Sequence, residues 1–181
     1  GDGLLDLFSS DDVNGTGNSV NKMSFVNNGN GGYINGGGSP TPIYMSGKDN
    51  GVRLGDVNGD GMLDFVYGKI DDKVEQPTKV FIKKIGQTDW LMDKNYQSPA
   101  LFIIVSPTNG ILDNSVRLAD INGDGLADVL KYTPWIQTIS INKGDGTWES
   151  SSEYSIPSGY YMSSQMNNPY ETVVMDVNGD G

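Results

Sequence analysis

Apolar positions in this chain fall in short runs, each fenced by Gly, Asp or Asn. Leu4-Leu5-Asp6-Leu7-Phe8, Met62-Leu63-Asp64-Phe65-Val66-Tyr67 and Leu126-Ala127-Asp128-Val129-Leu130-Lys131-Tyr132 are the longer runs. Val52-Arg53-Leu54, Val116-Arg117-Leu118 and Thr172-Val173-Val174-Met175 are shorter ones. Rich in β-branched and aromatic residues and bounded by turn formers, all of them predict strands. No stretch of a dozen residues keeps a convincing helical period.

Two further strands flank a Gly-bearing turn in each part of the chain. Ser24-Phe25-Val26-Asn27 and Gly32-Tyr33-Ile34 flank Asn28-Gly29-Asn30-Gly31. Lys79-Val80-Phe81-Ile82-Lys83-Lys84 and Asp89-Trp90-Leu91 flank Ile85-Gly86-Gln87-Thr88. Thr138-Ile139-Ser140-Ile141-Asn142 and Thr147-Trp148 flank Lys143-Gly144-Asp145-Gly146. Asn-Gly or Asp-Gly between alternating strands is a strong hairpin signal. The aromatic after each turn, Tyr33, Trp90 or Trp148, is expected to pack between sheets rather than to meet a ligand. Residues 11–21, 35–50 and 155–169 are rich in Gly, Ser and Pro and predict surface loops.

These elements repeat. An acidic loop stands between the first two strands of each unit, with its central aspartate at Asp2, Asp60, Asp124 and Asp180, a period of about 60 residues. The expected units are 1–55, 56–119 and 120–175, with 176–181 opening the next. Four short strands per unit, in tandem, is the pattern of β-propeller blades. A two-sheet sandwich would need neither the period nor a loop recurring once per unit. The expectation is therefore an all-β fold made of blades of four antiparallel strands. Closed propellers have about four to eight blades, so three units predict a segment of a larger ring. The chain opens on Gly1-Asp2-Gly3 and closes on Gly179-Asp180-Gly181, as a piece of a longer protein would.

The acidic loops carry the candidate chemistry. Asp120-Ile121-Asn122-Gly123-Asp124-Gly125-Leu126-Ala127-Asp128 reads D-x-N-G-D-G-x-x-D, and Asp56-Val57-Asn58-Gly59-Asp60-Gly61-Met62-Leu63-Asp64 repeats it. Hard cations of the calcium type take six to eight oxygen ligands, and alternate side chains on a tight loop can converge on one. Each full loop offers Asp, Asn and Asp at positions 1, 3 and 5, a backbone carbonyl from Met62 or Leu126, and a last carboxylate from Asp64 or Asp128. Partial copies stand at the ends: Asp2, Leu4 and Asp6, then Asp176, Asn178 and Asp180. An EF-hand or dockerin loop would need a carboxylate at position 12 and a following helix. Tyr67 and Lys131 occupy position 12, and a strand pattern follows. Magnesium, which demands near-octahedral geometry and dehydrates reluctantly, suits the loops less well. The competing reading is that Asp and Asn only cap turns. Three Asp within nine residues would then repel one another with no cation to offset them.

Composition narrows the classes. The formal charge of −11, with no basic cluster, argues against a nucleic-acid partner. With no Cys and no His there is no disulfide, no thiolate chemistry, no His general base and no His-ligated metal. No apolar run approaches a membrane span. An exterior rich in calcium suits weak acidic loops, so the expected location is extracellular or at the cell surface.

The loop, the apolar strand after it and the N-x-G-D-G-T-W hairpin at Asn142 to Trp148 together resemble the FG-GAP/VCBS repeat, over essentially the whole chain. That resemblance implies calcium-loop β-propellers, commonly of about seven blades, as in integrin α-subunits, some lectins, bacterial surface proteins and the propeller part of toxin complexes. The middle unit departs from it with Gln87-Thr88 in the hairpin turn, and the first has Asn30 where the last has Asp145, so that turn is expected to be structural.

Two functions are weighed. The first is a non-enzymatic, calcium-stabilised binding or scaffold module, with a glycan or protein partner at one propeller face; Trp135, Tyr160 and Tyr161 are candidate stacking aromatics. The second is the propeller part of a calcium-dependent enzyme such as a polysaccharide lyase, which would need Lys48, Arg53, Lys131 or Arg117 beside an ion. The shared place of Arg53 and Arg117 in two units points to structure instead. Asn14-Gly15-Thr16 is a lone glycosylation sequon.

Overall fold

A computed structural model describes residues 4–12, 21–38, 44–45, 48–71, 74–75, 78–87, 89–162, 172 and 174–175. They are all-β, with no helix among them, and hence no helix long and apolar enough to cross a membrane. The first sheet takes β1 (Leu7–Asp12), β2 (Asn21–Asn27), β3 (Tyr33–Gly37), β4 (Tyr44–Met45) and β5 (Lys48–Asp49), in the order β3-β2-β1-β4-β5. Then come β6 (Val52–Gly55), β7 (Asp64–Tyr67), β8 (Lys69–Asp71), β9 (Val74–Glu75), β10 (Lys79–Lys83) and β11 (Trp90–Asp93). The chain continues through β12 (Ile103–Ser106) and β13 (Gly110–Asp113) to β14 (Val116–Ala119), β15 (Asp128–Tyr132), β16 (Gln137–Asn142) and β17 (Trp148–Ser151).

Two four-stranded antiparallel sheets have the expected build. The second sheet runs β6-β7-β10-β11 and the last runs β14-β15-β16-β17, each with its acidic loop between the first two strands and its Gly turn between the last two. Register agrees between them: Gly55 faces Asp64 as Ala119 faces Asp128, and Lys83 faces Trp90 as Asn142 faces Trp148. Val66 and Val80 of the second sheet, Val129 and Val116 of the last, and Phe102 and Ile103 between them form one buried core against which Trp148 packs. Trp90 meets Phe65 edge-on, and Phe8 of the first sheet meets both. The hairpin aromatics Trp90 and Trp148 are thus packing residues, whereas Tyr33 stays 45 % exposed.

Elsewhere the structure departs from the expected pattern. In the first sheet β4 joins β1 in parallel, so this sheet is five-stranded and mixed. Residues 35–50, expected as loop, supply the end of β3 together with β4 and β5. A small mixed sheet, β13-β12-β8-β9, was not expected; β8 and β9 fall in sequence between β7 and β10 of the second sheet, and β12 and β13 fall between β11 and β14. The strands after the loops begin later than the apolar runs do, at Leu7, Asp64 and Asp128, because the loop extends to its last aspartate. Thr172, Val174 and Met175 carry no strand, and Val173 lies outside the described residues, as does the sequon at Asn14.

Candidate metal centre

The two full loops are built alike. Asp56 Oδ1 accepts the N–H groups of Asn58 (3.2 Å) and Gly59 (2.7 Å), and its Oδ2 accepts Gly61 N–H (2.7 Å). Asp120 does the same for Gly123 and Asp124 through Oδ1 and for Gly125 through Oδ2, at 2.8, 3.2 and 2.8 Å. Asn58 accepts Asp60 N–H and donates its amide to Asp60 Oδ2, both at 3.1 Å; Asn122 and Asp124 repeat the pair at 3.1 and 2.8 Å. Asp60 and Asp124 each accept the N–H two residues on, from Met62 and Leu126, at 2.9 Å. Such bonds let Asx residues substitute for backbone partners in a tight turn. Gly61 and Gly125 turn the chain at φ of 78° and 86°, where a Cβ would be strained.

The ninth position does something else. Asp64 and Asp128 are wholly buried. Asp64 Oδ2 accepts Val57 N–H at 3.1 Å and its Oδ1 accepts Lys83 N–H at 2.8 Å. Asp128 ties Ile121 N–H at 3.0 Å to Asn142 N–H at 2.8 Å. In the first sheet Asp6 Oδ1 accepts Asn27 N–H at 2.9 Å. One carboxylate in each of these three sheets therefore clasps a strand end, and in the two full loops it holds the loop to the third strand as well. Burial, followed at a distance by the neighbouring carboxylates Asp60 and Asp56, pushes Asp64 up to about 6 from its usual 3.8. Asp128 is raised for the same reasons, burial first, then Asp124 and Asp120.

Three carboxylates, one amide oxygen and one backbone carbonyl per loop make an all-oxygen donor set, which suits a hard cation. The loop oxygens are at the same time engaged with the loop's own amides. Among the described residues no three acidic groups gather at ion-holding spacing. Of the partial sites, Leu4 and Asp6 fall in the described residues, whereas Asp2, Asp176, Asn178 and Asp180 lie outside them.

The other candidates are not brought together. Arg53 pairs with Asp49 at 2.8 Å and lies over the Phe102 ring; Arg117 pairs with Asp113 at 2.7 Å and donates to the Met162 carbonyl. Lys48 is exposed and Lys131 half-buried within β15. Trp135 and Tyr160 are 74 % and 56 % exposed, and Tyr161 stacks on Tyr132. Sequence reasoning missed the clasp partners Asn27, Lys83 and Asn142. The signal available was positional: each is the last residue of the strand that leads into the Gly turn.

No protein-family model matches this chain, and no curated protein matches it in sequence. Among solved structures, one titled for an Agrocybe aegerita lectin that recognises non-reducing terminal N-acetylglucosamine is similar at 20 % identity and a TM-score of 0.47. The match covers 80 % of this chain and 37 % of that one. At that level it carries no argument about what this chain binds.

Proposed function

We propose that the chain is a calcium-stabilised binding or scaffold module of an extracellular or cell-surface protein, built from FG-GAP/VCBS-type blades that form part of a larger propeller. The observation that carries this reading is the twice-repeated loop, with its all-oxygen donor set placed where one buried aspartate already clasps loop to hairpin. An ion held by Asp56, Asn58, Asp60, Asp64 and the Met62 carbonyl would brace the second sheet. Asp120, Asn122, Asp124, Asp128 and the Leu126 carbonyl would brace the last. The ion would supply only charge compensation and cross-linking, and its binding free energy would add to folding stability. A glycan or protein partner would meet the exposed loops at one end of the sheets. Arg53 and Arg117, spent on structural ion pairs, lend nothing to the lyase alternative. A calorimetric titration with calcium tests the reading. Two sites per chain are expected, one lost in Asp60→Ala and the other in Asp124→Ala. Absence of calcium binding to the folded chain would refute it.

A further inference from the structure

The two acidic loops touch each other. Ala127 N–H, in the last loop, donates to the Asp56 carbonyl of the middle loop at 2.6 Å. Asn142 Nδ2, in a residue only 1 % exposed, donates to the Val57 carbonyl at 2.9 Å and to the Ala127 carbonyl at 3.2 Å. One buried amide thus bridges positions 85 residues apart, Val57 in one loop and Asn142 beside the other. The rest of Asn142 is committed too: its N–H goes to Asp128 and its Oδ1 accepts Gly144 N–H at 2.9 Å. Packing closes the junction. A Cβ at Gly55 would stand 2.6 Å from Ala127 Cβ, and one at Gly59 would stand 3.2 Å from the Leu126 side chain. Neither loop can shift without stripping buried polar groups of their partners, which is costly in a site shut off from water. Lys83 holds the matching place in the second sheet, and there the ammonium lies 3.9 Å over the Trp90 ring.

We propose that Asn142 is a positioning residue that couples the two loops, so that order in 56–64 and order in 120–128 rise and fall together. The coupling needs no ion. Where the loops take cations, a consequence resting on the reading above, it makes the two sites bind cooperatively.

Amide hydrogen exchange on the 181-residue chain in chelator tests this. Asp56→Ala removes the carboxylate that holds Gly59 and Gly61 and so loosens the middle loop. Exchange at Gly123 and Gly125, in the other loop, is then expected to speed by about five-fold or more, the low end of coupling between sites. In Asn142→Leu and Asn142→Asp backgrounds the same change should speed those amides by less than about two-fold. Unchanged protection of Val129 and Leu130 confirms that the last sheet is folded, and Asn142→Asp decides if Asn142→Leu loses that protection. No acceleration in the parent chain, or undiminished acceleration in a folded Asn142 variant, overturns the proposal. Transmission without calcium binding in the titration would remove the cation reading and leave the coupling standing.

Discussion

Asp64 Oδ1 accepts the backbone N–H of Lys83 at 2.8 Å across 19 residues of sequence, while its Oδ2 holds Val57 N–H in the acidic loop. A side chain that satisfies two buried donors from two elements is a structural joint. Asp64→Ala and Asp128→Ala are each expected to cost about 3 kcal/mol, because both N–H groups are left unpartnered in the core. Chemical denaturation of the metal-free chain measures this, with Asp60→Ala as the milder comparison.

The same burial sets a pH dependence. The folded state raises Asp64 from 3.8 to about 6, so between those values it binds more protons than the unfolded chain does. The stability this group contributes is fully present below its unfolded value and is lost as pH rises through its folded one. In chelator the melting temperature should therefore fall from pH 4 toward pH 6.5, and Asp64→Asn should flatten the slope. A rising profile over that range would contradict the assignment.

The paired indoles differ in one bond. Trp90 Nε1 donates to the Leu63 carbonyl at 2.8 Å, whereas Trp148 Nε1 is buried with no protein partner among the described residues. Trp90→Phe should cost about 1 kcal/mol more than Trp148→Phe, one net hydrogen bond, when the two are compared by denaturant unfolding.

Before the strands β6 and β14 the chain makes the same turn with different residues. Gly51 sits at φ 73° and Ser115 at φ 58°. Ser115→Gly relieves a left-handed serine and should raise stability by up to about 1 kcal/mol. Gly51→Ser should cost about 2 kcal/mol, since a Cβ there would meet the Gly68 carbonyl at 2.6 Å. Melting curves of the two variants should move in opposite directions.

The strand order of the second and last sheets was legible because each apolar run and each Gly turn speaks for itself. The β12–β13 hairpin was equally written, in Ile103 to Val105 and Asn109-Gly110. It stands apart from the loop and strands that were read as recurring in each unit, however, and a reading tied to the period passes over it. β4 and β5 are two residues each, too short for any periodicity to show. Within the loops, spacing marked Asp64 and Asp128 as oxygen donors but could not say that both oxygens would face backbone amides. A carboxylate that accepts N–H groups and one that holds a cation are the same letter in the sequence. Asn142 was hidden for a related reason. Its partner at Val57 lies in another unit, and nothing local announces a bridge to it.

Thermal unfolding with calcium and with chelator bears most directly on the reading of the loops as ion clasps. At calcium a hundred times its dissociation constant, each site should add about 2.7 kcal/mol. For a chain of this size that raises the melting temperature by about 2–4 °C per kcal/mol. The gain should fall by half or more in Asp60→Ala or Asp124→Ala, since the coupling between the loops is lost with either site, and vanish when both are changed. A melting temperature identical in calcium and in chelator would contradict it.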